Sequence, residues 1–294
     1  MENSNASLII DIGTNFNSYG FVGPIDIISK EEASYALEAV QHYLKAENSS
    51  RFKLHLVLPT INKIVHHPIL ISAVQQALQS ENLLLWSSDV NIKDASSPHY
   101  FCPHQDSAYA GLSPSTKCLT AWIALSHPVG IEEGCLLFYP KSHKMGKIHH
   151  STEKGEETKH NLLSLGQFIH KDIINTLQDP ISLQLQGGQA TLHSFDTVHS
   201  SGPNQSNKPR VGLALRYITY DVIQTKPNRE MATWISGYYP ATTDDNTFNF
   251  DMEPTLPNNP AEDDIERGRI AQREALQREE LNYFSGSTTD KKSY

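Results

Sequence analysis

Ala33, Ala36, Leu37, Val40, Tyr43 and Leu44 recur at three- and four-residue spacing, which puts them on one face of a helix over residues 30–46. Ser29 followed by Glu32 is a capping-box start for that helix. Pro68 opens a second helix, with Leu70, Ala73, Val74, Ala77 and Leu78 along one face. Residues 19–27, with Gly20 and Gly23, read as a short extended segment. From Leu83 the texture changes to short apolar runs divided by turn residues. Strands are predicted at 83–93, 119–126, 135–139, 181–186, 189–195 and 210–220, with Gly187-Gly188 turning between two of them. Many short, unevenly connected strands indicate a mainly β fold with flanking helices, a double-sheeted jelly roll. The insert 143–177 is polar and His-rich and reads as a long loop with one helix. After Tyr220 strand character is lost. Asn259-Pro260 then begins a helix whose first turn holds Glu262, Asp263 and Asp264, with Asp263/Arg267 and Glu274/Arg278 as supporting pairs. The expected organisation is one domain over 1–284: a helical part (1–82), a jelly-roll core (83–220) and an extension with a helix (221–284). Residues 285–294 are expected to be a disordered tail.

Composition narrows the function classes. A chain of 294 residues, 38% hydrophobic, can bury one sizeable core. With 24 basic and 33 acidic residues the net charge is −9, which argues against wrapping nucleic acid or coating an anionic membrane. Three cysteines are too few for a disulfide framework and suit a reducing compartment. Leu8-Ile9-Ile10 is too short for a signal-peptide core, and no apolar run approaches the ~20 residues of a membrane helix. A cytoplasmic protein acting on a small molecule is expected, with neither nucleic acid nor membrane as partner.

Fourteen histidines make His104-Gln105-Asp106 a weak signal alone. Its context strengthens it: the triplet follows Pro103 in a polar run leading to Tyr109. His199, ending the predicted strand and followed by the turn Ser200–Asn204, is the best candidate for a third ligand. Two imidazole nitrogens and a carboxylate on one face of a metal leave three open positions, which suits non-haem Fe(II) and O2; zinc is less favoured. Arg210 lies 11 residues after His199 at the start of the next strand. A guanidinium entering a barrel needs a carboxylate, supplied either by a dicarboxylate cosubstrate or by a buried Asp or Glu. His193, evenly spaced from His199, is either a pocket residue or a buried, hydrogen-bonded histidine. Ser107 and Tyr109 are candidates for substrate contact, the alternative being loop packing. Arg216 shares strand parity with Arg210 and is read as binding an acidic substrate group or as forming an ion pair. His143, His149, His150, His160 and His170 read as surface residues, His66-His67 as a helix entry, Trp86 and Trp234 as core, and Cys102 as a small buried filler.

Pro103–Asp106, Thr120–Leu125, Glu133–Leu136, Pro140–Gly146 and His199–Ser206 through Arg210 occur in an order that resembles the phytanoyl-CoA dioxygenase (PhyH-like) family of Fe(II)/2-oxoglutarate-dependent oxygenases. The resemblance covers residues 83–220. It implies a double-stranded β-helix, Fe(II) held by His104, Asp106 and His199, and Arg210 with Ser201 on the distal carboxylate of 2-oxoglutarate. Asn91 and Trp122 match positions close to that cosubstrate. Lys141 stands where the family usually has Gly, and Gln189 where Asp is common. Halogenating relatives replace the metal carboxylate by Ala or Gly, so Asp106 points to hydroxylation of an aliphatic C–H with O2 as oxidant and succinate and CO2 released. Desaturation, ring formation or demethylation at the same site, and a non-catalytic cupin-like metal-binding module, are the alternatives.

Overall fold

The long strand β2 (Leu83–Lys93) and its partner β10 (Arg210–Thr219) pair antiparallel along almost their whole length, Arg210 opposite Lys93 and Thr219 opposite Leu83. The computed structural model describes residues 11–153, 155, 158–163, 166–238 and 249–287. Around the central pair run β1 (Phe21–Asp26), β5 (Cys118–Ala124), β8 (Gln189–Ser194), β12 (Met231–Ser236) and β13 (Asp251–Met252), in the order β1-β8-β5-β10-β2-β12-β13. A second sheet, β3-β9-β6-β7, contains β3 (Phe101–His104), β6 (Leu136–Phe138), β7 (Ile181–Leu183) and β9 (His199–Ser201). A small ribbon joins β4 (Leu112–Ser113) to β11 (Ile223–Gln224). Two sheets of this kind make the expected double-stranded β-helix.

Period-2 alternation gives the large sheet two different faces. Leu85, Leu119, Ala121, Ile123, Leu192, Val211, Leu213 and Leu215 point outward and pack in one apolar cluster with the helices. Those helices are α1 (Ile12–Tyr19), α2 (Lys30–Tyr43), α3 (Pro59–Val65) and α4 (Pro68–Leu78). The capping box at Ser29 is present, with Glu32 N–H donating to Ser29 Oγ at 3.1 Å and Ser29 N–H to Glu32 Oε2 at 2.8 Å. The other face of the sheet carries Asn91, Thr120, Trp122, His193, Arg210, Ala214 and Arg216 and lines the interior. Two short helices, α5 (Ser107–Ala110) and α6 (Lys171–Ile174), lie in the connections.

Several expectations need correction. Strand character does not end at Tyr220: β12 adds to the large sheet beside β2, Thr233 opposite Leu85. His199 does not end β8. The chain turns at Ser194–Thr197, where Thr197 N–H donates to Ser194 O at 2.9 Å, and His199 begins β9 in the other sheet. Helix α1 was not anticipated, because only Phe16 of its eight residues is buried; Asp11 caps it through Thr14 N–H at 2.9 Å. The last helix, α7 (Glu262–Ser287), runs into the expected tail, of which 288–294 lies outside the described residues. Arg278 pairs with Glu274 at 2.5 Å as expected, whereas Arg267 bonds Asp264 rather than Asp263.

Helix α7 approaches the 3-10 turn Leu54–Leu56 so closely that a Cβ on Gly268 would lie 1.8 Å from Leu56 O. Beneath that turn, Lys53 Nζ meets Glu253 Oε1 at 2.5 Å and donates to the carbonyls of Trp86 and Met231 at 2.6 and 2.8 Å. Glu253 Oε2 accepts from Thr233 Oγ1 at 2.6 Å and lies 3.1 Å from His55 Nε2. The three cysteines are buried, and none forms a disulfide. Among the described residues no helix is long and apolar enough to cross a membrane.

Candidate functional site

His104 and His199 face each other across the β3–β9 pair, opposite in register, and Asp106 follows β3 at the head of α5. One ligand atom from each lies within 4.8 Å of the others, and all three residues are buried. Asp106 Oδ1 is 3.8 Å from His104 Nε2 and 3.9 Å from His199 Nε2, so this oxygen and the two Nε2 atoms turn to a common point. Each ring is oriented from behind. His104 Nδ1 lies 2.7 Å from Cys102 O and His199 Nδ1 lies 3.0 Å from Thr197 O, so Nδ1–H donates and the Nε2 lone pair faces inward. Thr120 Oγ1 donates to Asp106 Oδ2 at 2.6 Å, and the Tyr109 hydroxyl donates to Oδ1.

The protonation states fit metal binding. Burial pushes His104 down to about 4, and burial with the neighbouring His104 and His193 holds His199 well below its ordinary value. Burial opposes ionisation of Asp106, yet His193, His199 and Arg216 around it hold its carboxyl well below the usual range. Two neutral imidazoles and one carboxylate are what a divalent cation requires of its ligands.

The three residues line a cavity of about 750 Å³ between the sheets. Arg210 lines it too, 1% exposed, its guanidinium carbon 4.3 Å from the centre of the Trp122 ring. Its Nε and Nη2 have no hydrogen-bond partner, and none of the ion pairs among the described residues includes it. Burial lowers it only to about 10, so it keeps its charge. A buried salt bridge to a protein carboxylate is therefore absent among the described residues. Trp122 can lie under Arg210 because its neighbour Gly212 has no side chain: a Cβ there would fall 1.7 Å from Trp122 Cζ2. Trp122 Nε1 donates to Asn91 Oδ1 at 3.2 Å, and Asn91 also lines the cavity.

Ser201 departs from the expectation. Its hydroxyl donates to Gly134 O at 3.2 Å and accepts from the Lys93 ammonium, and it is not among the cavity-lining residues. Lys93 stands opposite Arg210 in register, and burial beside Arg210 lowers it to about 6.

Of the candidate substrate residues, Tyr109, His193 and Arg216 line the cavity and Ser107 does not. The Ser107 amide instead donates to Phe195 O at 3.0 Å, at the start of α5. Of the two alternatives for Arg216, the structure has the ion pair, with Asp89, while the side chain also faces the cavity. His193 is buried but not hydrogen-bonded; Nε2 stops 3.7 Å from Asp106 Oδ2, and its ring centre is 4.4 Å from that of His199. His150 is not a free surface residue either, since its Nε2 accepts from Gln105 N–H at 2.9 Å. His149 and His170 are exposed. Trp86 packs in a buried core cluster, as expected, and also lines the cavity, donating from Nε1 to Glu230 Oε2 at 2.6 Å. Thr120, Lys93 and Glu279 were missed. Strand parity could have found the first two, because Thr120 is two residues from Trp122 and Lys93 two from Asn91. Nothing local marks Glu279. Lys141, where the resembled family usually has Gly, sits at φ 63°, in the left-handed region that glycine adopts without strain.

A family profile for phytanoyl-CoA dioxygenase (PhyH) matches residues 27–212. Phytanoyl-CoA dioxygenase domain-containing protein 1 of Danio rerio is 28% identical over 159 residues, 53% of this chain and 52% of the relative. A methylphosphonate hydroxylase of Gimesia maris is 29% identical over 156 residues, 52% of this chain and 51% of its own length. The chain thus spans about half the length of these curated relatives. Among solved structures, the apo form of ThoJ, described as a non-heme monooxygenase, superposes with a TM-score of 0.78 at 26% identity, covering 95% of this chain and 100% of the other.

Proposed function

The chain belongs to the phytanoyl-CoA dioxygenase family, and from that premise we propose that it is an Fe(II)- and 2-oxoglutarate-dependent dioxygenase. It hydroxylates an aliphatic C–H bond of a small metabolite or natural-product intermediate. Arg210 carries this reading: a charged guanidinium, 1% exposed and without a carboxylate among the described residues, opens into the same cavity as His104, Asp106 and His199. A buried cation without a partner is costly, and a dicarboxylate offers it the bidentate fork it lacks. The donor set fits iron, with two neutral imidazoles, one carboxylate and room on the cavity side for further ligands. The relatives named a methylphosphonate hydroxylase and a non-heme monooxygenase support an oxygenase.

Bound iron with 2-oxoglutarate supplies the activation of O2, the cosubstrate leaving as succinate and CO2. His104, Asp106 and His199 hold the iron, while Thr120 and Tyr109 fix the Asp106 carboxylate. Arg210 takes the distal carboxylate of 2-oxoglutarate above the Trp122 ring. Leu136, Leu163 and Phe101 among the cavity walls keep water from the reacting carbon.

The test is anaerobic titration of the Fe(II)-loaded protein with 2-oxoglutarate, following the visible charge-transfer band of the chelate. Arg210→Ala should weaken binding by roughly 2–4 kcal/mol, ~30- to 1000-fold, and Arg210→Lys should recover only part of it. An Arg210→Ala protein that binds 2-oxoglutarate as tightly as the parent would sink the cosubstrate assignment.

A further inference from the structure

The cavity has a second polar end, on the side of α7, built from residues that the iron reading does not use. Asp89, Lys226, Glu230, Glu279 and Asn282 line it together with Trp86 and Arg216. Most of the charges there are already matched. Arg216 pairs with Asp89. Lys226 Nζ lies 3.3 Å from Glu230 Oε1 and 5.8 Å from the centre of the Trp86 ring. Glu230 also accepts from Trp86 Nε1 at 2.6 Å and from Asn282 Nδ2 at 2.9 Å. Glu279 remains. It is half-buried in the cavity wall, and no hydrogen bond or ion pair joins its carboxylate to any described residue. Burial and the nearby Asp89 raise it to about 7.

Three carboxylates against two cations leave Glu279 as the acidic group without a counter-ion among the described residues at this end, whereas Arg210 makes the opposite end positive. The unpartnered, 1%-exposed Arg210 and His193 in the same cavity mark it as a space built around a ligand. We propose that the substrate carries a basic nitrogen and that Glu279 is the residue that selects it, receiving the substrate ammonium beside the Trp86 ring. An anionic substrate would meet Glu279 unpaired and find Arg216 and Lys226 already engaged. A neutral one would leave the carboxylate without its charge-assisted bond. An ammonium gains that bond. This rests on the oxygenase reading only for the word substrate; the charge preference belongs to the cavity itself.

The probes are three compounds of one shape: 4-phenylbutylammonium, 4-phenylbutanol and 4-phenylbutyrate. Their dissociation constants for the metal-free 294-residue chain are read by saturation-transfer NMR. The ammonium is expected to bind about tenfold more tightly than the alcohol, a modest factor because Glu279 is partly solvated, and the carboxylate most weakly. Glu279→Gln keeps the side chain's size and removes its charge. It should bring the ammonium to the alcohol's level and leave the alcohol unchanged, while Glu279→Asp should keep part of the preference. An ammonium that binds no better than the alcohol, or fails to bind at millimolar concentration, overturns the proposal. So does a preference that survives Glu279→Gln. The parent's anaerobic 2-oxoglutarate titration reads the iron assignment separately: it can fail while the charge preference stands, and the reverse holds equally.

Discussion

Five groups surround the Asp106 carboxylate: His104, His193, His199, Thr120 and Tyr109. Oδ1 faces the two imidazoles, Oδ2 is tied to Thr120, and Tyr109 closes the third side. A metal ligand whose second oxygen is fixed loses less entropy on binding than a free one. Thr120→Val removes the hydroxyl while keeping the branched shape, and it should weaken iron ~10- to 100-fold with the circular dichroism spectrum unchanged. Competition against a coloured chelator measures this. Iron affinity equal to the parent's would show that Thr120 merely fills space. His199→Ala, assayed in the same way, should lose iron almost entirely. If it does not, another histidine holds the metal, and His193 would be the first to examine.

At the scale of elements, the segment around Glu253 is pinned by the buried Lys53–Glu253–His55 group rather than by its two-residue strand. Burial would raise the Glu253 carboxyl, but the Lys53 ammonium and His55 overcome this and lower it to about 2, against an ordinary value of 4.5. A carboxyl depressed in the folded state stabilises above its unfolded value and loses that stabilisation as pH falls. Here the loss runs from about pH 4.5 down through 2 and amounts to roughly 3 kcal/mol. Glu253→Gln should destabilise by about 3–5 kcal/mol at pH 7, since Lys53 is left buried without its partner, and should flatten the acid limb of stability between pH 4.5 and 2. Urea melts across that range test both. An acid limb as steep as the parent's would mean that another group causes it. None of this was legible in the sequence, because Glu253 lies about 200 residues from Lys53 and His55 along the chain. What was legible was periodic: α2 and α4 from apolar spacing, β2 and β10 from long apolar runs, and Arg210 and Trp122 from family order. β12 was missed because Met231–Ser236 is short and mixed in character. The break before His199 was missed because Phe195 and Val198 continue the apolar pattern straight through the turn.

On the scale of the whole molecule, one cavity joins two sheets and one helix, so filling it should tighten all three. With iron bound, 2-oxoglutarate at a hundred times its dissociation constant should add about 2.7 kcal/mol to stability, roughly 5 °C in Tm for a chain of this length. At the same 2-oxoglutarate concentration the rise should fall below about 1 kcal/mol in Arg210→Ala. An unchanged Tm in the parent would indicate that the dicarboxylate does not bind the folded protein. The residues assigned to iron and cosubstrate all lie between Asn91 and Arg210, on strands or at their ends, whereas Glu279 and Asn282 belong to α7. That helix rests on the Leu54–Leu56 turn through Gly268, at a distance no other side chain would allow. Heredity can therefore act on the two parts separately. Substitutions along the inner face of α7 can retune what is accepted for oxidation in descendants of this chain, while the oxidising apparatus passes down unaltered, provided the single glycine that seats the helix is kept.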